Sequence, residues 1–234
     1  RLVVLGEAMR QRVIAAGGPA DRIDIVPNWS DDAAIVPVAH ADNPLRGGLA
    51  RGAKFVVMYS GNIGRGHDVR TLLEAAQQLR ERTDIAFVFQ GDGMRRTEVE
   101  RAAAELQNVR LEPYRAKSEL AQSLSAGDVH LISMLPEMVG LIEPSKLYGI
   151  MAVGRPALYV GPTQSEIAQT LIREACGQIF ANGDSSGLAK AIAALADRPQ
   201  AGEEMGRRGR SALTARYSRK VASARFVSLL RDMA

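Results

Sequence analysis

The feature that most constrains the fold is a regular alternation of short apolar runs with longer amphipathic segments. Residues 55–59 and 85–89 are almost entirely apolar, which is typical of strands buried on both faces of a parallel sheet. Residues 68–82, which lie between them, carry apolar side chains at helical spacing. The alternation therefore predicts an α/β fold, a doubly wound parallel sheet of the Rossmann-like type with right-handed crossovers.

The same pattern can be followed along most of the chain. The predicted strands lie at 2–5, 23–26, 55–59, 85–89, 109–111, 129–132, 157–160 and 177–181, and the predicted helices at 7–16, 68–82, 94–106, 118–125, 144–153, 165–174, 185–196 and 201–233.

The strand–helix alternation is interrupted once, after the first strand–helix–strand unit. Residues 33–53 contain prolines and glycines and have no strong periodicity, which is typical of a linker or a wrapped surface segment. The sequence therefore predicts four parts: residues 1–30 as the end of a neighbouring domain, 31–53 as a linker, 54–200 as the Rossmann-like domain and 201–234 as a basic helical segment with solvated arginines.

The charge balance and the cysteine content limit the possible partners. The 234 residues contain 30 Lys and Arg against 26 Asp and Glu, a net charge of +4. This small, evenly spread excess suits an anionic ligand or weak attraction to a membrane surface, and it argues against nucleic acid. The single cysteine, Cys176, excludes an intrachain disulfide and indicates a reducing, cytoplasmic environment. The chain begins with Arg1 in a strand-like run, so we expect a longer protein.

A candidate anion site lies in the stretch from 140 to 156. Pro144 suits the first position of a helix, and Ser145 and Lys146 then fall in its first turn. Unpaired amides and the positive end of the helix dipole favour an anion there, and a hydroxyl and an ammonium can add hydrogen bonds. The alternative is an ordinary helix start with a solvated Lys146.

A second candidate is the loop that follows the strand at 55–59. Gly61 and Gly64 would let the backbone approach a ligand closely, and Arg65 could offer two donors to a phosphate. The order G-x-x-G-x-G matches neither the dinucleotide fingerprint nor the phosphate loop of nucleoside triphosphatases. Because loops after parallel strands meet at one edge, this loop and those at 91–93 and 112–115 should line one crevice.

Several motifs, in order, resemble those of a known family. They are PNW at 27–29, YSGNIGRGHD at 59–68, QGDG at 90–93, LEPYRAKSEL at 111–120, GDVHLI at 127–132 and PSKLYGIMAVGRP at 144–156. Together they resemble the donor-binding, C-terminal half of family-4 retaining glycosyltransferases with the GT-B fold, and are similar to bacterial enzymes of O-antigen, capsule or exopolysaccharide synthesis. The resemblance implies that residues 1–30 end the N-terminal acceptor domain and that 31–53 is the interdomain linker.

The resemblance also implies roles for individual residues. Tyr114 and Arg115 would lie on the nucleobase side of a nucleoside-diphosphate-sugar donor. The alternatives are ordinary turn glycines at Gly61 and Gly64, solvated cations at Arg65 and Lys146, and a packed aromatic ring at Tyr114. The residues implied in binding the donor and its diphosphate are Gly61, Asn62, Gly64, Arg65, Ser145, Lys146 and Leu147.

One part of the family pattern is absent. Many relatives carry two glutamates seven residues apart at the helix start, and the aligned positions here are Leu141 and Gly149. Glu143 is the candidate catalytic carboxylate near the transferred sugar, with Glu137 as the alternative, although Glu143 could equally be a dipole partner in the first turn. Two of the three histidines, His67 and His130, are predicted to be structural.

The predicted activity is transfer of a sugar from a nucleoside-diphosphate-sugar to a glycan or lipid-linked acceptor bound by the missing domain. No metal or other cofactor is expected, since no Asp-x-Asp site is present, and the protein is expected in the cytoplasm, possibly at the inner face of the membrane. This chain alone should bind the donor but transfer little. The alternatives are a sugar-nucleotide epimerase of the same fold and a non-catalytic nucleotide-binding module.

Overall fold

The computed structural model describes residues 1–232. The strands are β1 (Leu2–Val4), β2 (Ile23–Ile25), β3 (Phe55–Ser60), β4 (Ile85–Gln90), β5 (Val109–Glu112), β6 (Val129–Ser133), β7 (Ala157–Val160) and β8 (Gly177–Phe180). The helices are α1 (Glu7–Ala15), α2 (Arg46–Ala50), α3 (Val69–Gln78), α4 (Arg96–Glu105), α5 (Leu120–Ser125), α6 (Lys146–Ala152), α7 (Glu166–Glu174), α8 (Ser185–Asp197), α9 (Pro199–Ala212) and α10 (Arg219–Arg231).

Six of the strands form one parallel sheet in the order β5-β4-β3-β6-β7-β8. Chain order runs outward from β3 to β5 on one side and from β6 to β8 on the other, which is the doubly wound Rossmann arrangement. The prediction of a Rossmann-like parallel sheet is therefore confirmed. The order reverses between β3 and β6, and ligands in such sheets bind beyond the carboxyl ends of the strands at this point.

Apolar packing on both faces explains why β3 and β4 are almost entirely apolar. On one face, side chains such as Val57 and Phe87 pack against Leu72 of α3 and Ile192 of α8. On the other face a second cluster joins β6 and β7 to α6 and α7. All six residues of β4 are buried, as expected for a strand with helices on both sides.

The first unit is a β-α-β unit whose two strands, β1 and β2, pair in parallel. Between this unit and the six-stranded sheet, the chain runs alongside the C-terminal segment. Ser30 donates its amide to the Tyr217 carbonyl at 3.1 Å and accepts from the Arg219 amide at 2.9 Å. Asp31 and Arg219 form an ion pair at 2.8 Å. The segments around residues 30 and 218 are therefore held side by side.

The predicted linker is more ordered than its composition indicates. It contains α2, and Arg46 donates to the Asp128 carboxylate at 2.7 Å while Asn43 donates to the Gln122 carbonyl at 2.8 Å. The expectation that the arginines of the closing segment are solvated is wrong for Arg210, which donates to the backbone carbonyls of Asp32, Ile35 and Ala152. Buried carbonyl groups need such donors, so Arg210 stabilises the linker against the sheet domain.

Helix α6 begins later than predicted. Its first residue is Lys146 and its N-cap is Ser145, so Pro144 precedes the helix rather than opening it. The Glu143 carbonyl, an acceptor that a longer helix would use, accepts a hydrogen bond from Asn28 Nδ2 at 3.1 Å. The helix has seven residues instead of about ten.

The closing segment is helical, as predicted, except for a π-helical turn at Leu213–Tyr217. The part of that prediction that falls on Met233 and Ala234 lies outside the described residues. Within residues 1–232, no helix combines the length and the apolar character needed to cross a bilayer.

Candidate functional site

An open pocket of about 320 Å³ lies at the carboxyl ends of the central strands. Its walls come from the ends of β3 and β4, the loop after β5, helices α5 and α6, and the segment 29–35 that joins the first unit to the sheet domain. The lining residues are Trp29, Ser30, Ile35, Ser60, Gly61, Gln90, Tyr114, Arg115, Leu120, Ser123, Leu124, Ser145, Lys146 and Gly149. The pocket is therefore where a doubly wound sheet is expected to bind its ligand.

Lys146 is the dominant charged group of this pocket. Its Nζ lies 3.7 Å from the centroid of the Tyr59 ring, is buried, and has no hydrogen-bond partner among the described residues. Burial lowers the pKa of Lys146 to about 7, because a desolvated ammonium without a counter-charge is unfavourable. The alternative of a solvated Lys146 is wrong.

Gly61 lies beside this ammonium. Its φ is +124°, a conformation that favours glycine, and an added Cβ would lie 3.4 Å from Cε and 3.5 Å from Nζ of Lys146. At the end of the next strand, a Cβ on Gly91 would lie only 2.0 Å from the Gly61 carbonyl oxygen. Glycines at these two positions let the loops after β3 and β4 pack closely beside the pocket.

A second unpartnered donor lines the pocket wall. Gln90 ends β4, its Oε1 accepts a hydrogen bond from the Ser123 hydroxyl, and its Nε2 is buried without a partner within residues 1–232. A buried donor left unpaired costs free energy, so Gln90 Nε2 and Lys146 Nζ both favour a ligand that accepts hydrogen bonds. Sequence analysis missed Gln90 as a site residue, although the QGDG motif places it at a strand end.

The predicted donor-binding residues divide into two groups. Gly61, Ser145 and Lys146 line the pocket together with Tyr114 and Arg115. Tyr114 is 56% exposed, so it is not a packed core ring. The residues outside the pocket lining are Asn62 and Arg65, which are exposed, Gly64, which is buried beside the Asn62 amide, and Leu147, whose side chain is in the core.

Leu147 can reach a ligand only through its backbone. Its side chain packs in the cluster between the sheet and α6. The first amides of a helix have no acceptor in the preceding turn, so the Leu147 amide and that of Lys146 are available in principle to an anion.

Glu143 is not among the residues that line the Lys146 pocket. Burial, and then the nearby Glu166, raise the pKa of Glu143 to about 8, and its buried Oε1 has no hydrogen-bond partner in the described part of the chain. Glu166 lines a separate cavity of about 660 Å³ between α1 and α7, where its Oε2 accepts from the Glu7 amide at 3.4 Å. Glu137 is exposed. Glu143 is thus protonated at neutral pH, next to the cleft between the first unit and the sheet domain.

His67 and His130 are both buried, and each is hydrogen-bonded to a backbone carbonyl. A ring nitrogen of His67 lies 2.6 Å from the Ser133 carbonyl oxygen, and one of His130 lies 2.9 Å from that of Leu124. Burial lowers the pKa of each to about 4, which keeps the rings neutral. Residues 1–232 contain no group of three His, Cys, Asp or Glu side chains that could hold a metal ion.

Known proteins match this chain along most of its length. Residues 54–198, more than half of the chain, match the family model of the glycosyl transferases group 1. The putative colanic acid biosynthesis glycosyl transferase WcaI of Escherichia coli K12 is 33% identical over 70% of this chain and 41% of its own length. The probable glycosyltransferase WbjE of Pseudomonas aeruginosa is 29% identical over 100% of this chain and 58% of its own.

A solved structure agrees with the fold. Anabaena HepE, solved in complex with UDP-glucose, superposes with a TM-score of 0.82 at 18% identity, covering 98% of this chain and 63% of HepE. The chain spans about half the length of the curated relatives that it matches. The predicted resemblance to bacterial polysaccharide glycosyltransferases of the GT-B fold is confirmed, and the chain belongs to the group 1 glycosyl transferases.

Proposed function

We propose that the Lys146 pocket binds the diphosphate of a nucleoside-diphosphate-sugar. The whole protein, in this proposal, transfers the sugar to a glycan or lipid-linked acceptor in bacterial surface polysaccharide synthesis. The observation that carries the proposal is the buried Nζ of Lys146 without a hydrogen-bond partner. Among the described residues, no carboxylate forms an ion pair with it, and burial alone accounts for its lowered pKa.

An anion would remove the cost of burying this ammonium. A buried charge is stable only when it is paired, and a diphosphate supplies both negative charge and several acceptor oxygens. The unpaired Nε2 of Gln90 and the amides at the start of α6 would donate to the same group. Ser145 would add its hydroxyl, and Arg65, with Asn62 on the same exposed loop, would approach from outside the pocket.

Charge placed at this position assists the chemistry of glycosyl transfer. When the bond between sugar and diphosphate breaks, negative charge develops on the bridging oxygen of the leaving group. A fixed ammonium beside that oxygen stabilises the charge in the transition state, and the loss of such a donor costs ~10²-fold in rate. We propose that these cations and amides serve without a metal ion.

The donor class rests on the relatives as well as on the pocket. HepE was solved with UDP-glucose, and WcaI is named for colanic acid biosynthesis. We propose that Tyr114 and Arg115, on the exposed loop after β5, contact the nucleobase. Glu143, protonated at neutral pH, would then act near the transferred sugar as a hydrogen-bond donor, and the acceptor would bind the domain that precedes this chain, with peripheral membrane contact in the cytoplasm.

The test is calorimetric titration with UDP-glucose, GDP-mannose and the free nucleoside diphosphates. Wild-type protein and a Lys146→Ala variant are compared, with Lys190→Ala on the exposed face of α8 as a matched control. We expect one nucleotide class to bind, Lys146→Ala to lose at least ~10-fold in affinity, and Lys190→Ala to bind like wild type.

Two results would contradict the proposal. One is the absence of binding to folded wild-type protein across the panel, and the other is unchanged affinity in Lys146→Ala. In the full-length protein, consumption of the donor without an acceptor would favour the epimerase instead, and tight binding without any turnover would favour the non-catalytic module.

A further inference from the structure

One wall of the Lys146 pocket does not come from the strand–helix repeat at all. Trp29, Ser30 and Ile35 line it from the segment that joins the first unit to the sheet domain. This segment precedes β3, so it reaches the carboxyl edge of the sheet from outside the sheet domain. Trp29 is the only tryptophan in the chain.

The backbone on both sides of Trp29 is fixed by hydrogen bonds. Before it, Asn28 Nδ2 donates to the Glu143 carbonyl at 3.1 Å, which ties the segment to the loop that leads into α6. After it, Ser30 pairs through both its amide and its carbonyl with the chain at Tyr217 and Arg219. The position of Trp29 at the pocket is therefore imposed from both sides.

The Trp29 side chain stays partly exposed although the backbone on both sides of it is fixed. Trp29 is 43% exposed and Tyr114 is 56% exposed. Among the exposed large apolar side chains of residues 1–232 only three are aromatic, the third being Phe226 on α10, and the other two line the Lys146 pocket. Two aromatic side chains that line one pocket and stay partly exposed can offer their rings to a ligand, and aromatic faces are suited to stacking on planar bases.

We propose that Trp29 contacts the nucleoside of the bound donor and contributes to its affinity and selectivity. The inference rests on the proposed function and goes beyond it, because it assigns a ligand contact to a residue that precedes both the linker and the sheet domain. Lys146 and the amides of α6 would hold the diphosphate, while Trp29 and Tyr114 would cover the nucleoside. Stacking on an aromatic side chain typically changes affinity by about 10-fold or more when the ring is removed.

The unique tryptophan allows a direct optical test. When the protein is excited at wavelengths that tyrosine does not absorb, its intrinsic fluorescence reports Trp29 alone. Titration with the nucleoside diphosphate that binds in calorimetry should change the emission with the same dissociation constant, and acrylamide should quench the complex less than the free protein. Emission and acrylamide quenching that stay constant through saturation would overturn the proposal.

A comparison of variants separates a ligand contact from a structural role. We expect Trp29→Ala to raise the dissociation constant for the nucleoside diphosphate about 10-fold and to leave that for inorganic pyrophosphate unchanged, and we expect Trp29→Phe to stay within about threefold of wild type. Equal affinity of Trp29→Ala for the nucleotide, or an equal loss for pyrophosphate, would overturn the proposal.

The same measurements distinguish this inference from the proposed function. If wild-type protein binds no nucleotide, the proposed function fails and the inference fails with it. If wild-type protein binds and Lys146→Ala does not, but Trp29→Ala binds as tightly as wild type, only the role of Trp29 is wrong.

Discussion

Lys146 carries a charge that the folded, ligand-free protein disfavours. Its pKa is lowered to about 7 by burial, against 10.5 for a solvated lysine. Between these two values the unfolded chain binds one more proton than the folded protein, so the free energy of unfolding rises with pH across this window. The cost of the charge is largest at and below pH 7, where the folded protein must also hold the proton.

The lowered pKa of Lys146 predicts that the free energy of unfolding depends on pH differently in wild type and in Lys146→Met. From pH 7 to pH 9.5 the wild-type free energy of unfolding should rise by ~3 kcal/mol relative to the variant, because methionine has no proton to lose. Urea denaturation at both pH values measures it, and other titrating groups such as Glu143 cancel in the comparison. Parallel pH dependence in the two proteins would show that Lys146 is solvated.

Helix α9 packs on the turn after α6 through a glycine. A Cβ on Gly206 would lie 1.9 Å from the Gly154 carbonyl oxygen and 2.6 Å from its carbon, both of them backbone atoms that no rotamer change can move. We expect Gly206→Ala to lower the free energy of unfolding by ~2 kcal/mol or more. Gly202→Ala is the matched control in the same helix, because its Cβ would meet no atom closer than 3.5 Å.

The control should gain stability, since alanine is favoured over glycine inside a helix by ~0.5–1 kcal/mol. Thermal unfolding of the two variants therefore gives shifts of opposite sign. Equal shifts would mean that α9 is not seated on the Gly154 turn.

The same helix joins the linker to the sheet domain through Arg210. Its guanidinium lies 3.1 Å from the Ile35 oxygen, 2.9 Å from that of Asp32 and 2.7 Å from that of Ala152. Arg210→Ala leaves these carbonyls without a donor and should cost ~2–4 kcal/mol. Arg207→Ala removes an exposed side chain of α9 whose ion pair with Glu204 spans 3.8 Å, and should cost less than ~0.5 kcal/mol. Chemical denaturation that ranks the two variants equally would contradict this role of Arg210.

For the whole molecule, the sheet could be predicted because strands buried on both faces leave a continuous apolar run in the sequence. Residues 55–59 and 85–89 carry that signal directly. The start of α6 could not be predicted in this way: the loop before it is joined to Asn28 by a hydrogen bond to the Glu143 carbonyl, across 115 residues of sequence. Such a contact leaves no local pattern.

The candidate site shows the same division. Loop order at the carboxyl edge predicted that Gly61, Tyr114 and Lys146 meet, and they line one pocket. The burial of Lys146 against Tyr59 depends on the packing of side chains from different elements. Trp29 lies just before the segment without strong periodicity, and in the sequence only the PNW motif included it.

Because Trp29, Ser30 and Ile35 line the pocket, we expect bound donor to slow hydrogen exchange in the segment that contains them. If these three residues contact or cover the donor, local unfolding of residues 28–36 must release the donor. Bound donor should therefore make such local unfolding rarer. With donor at 100 times its dissociation constant, exchange through such openings slows by up to ~100-fold.

Hydrogen exchange of peptides covering 28–36 and 60–66 should therefore slow on binding. Peptides covering 46–54, at the opposite end of β3, provide the control and should not change. Protection confined to 60–66 would mean that Trp29, Ser30 and Ile35 only border the pocket, and that nucleotide affinity resides in the sheet domain alone.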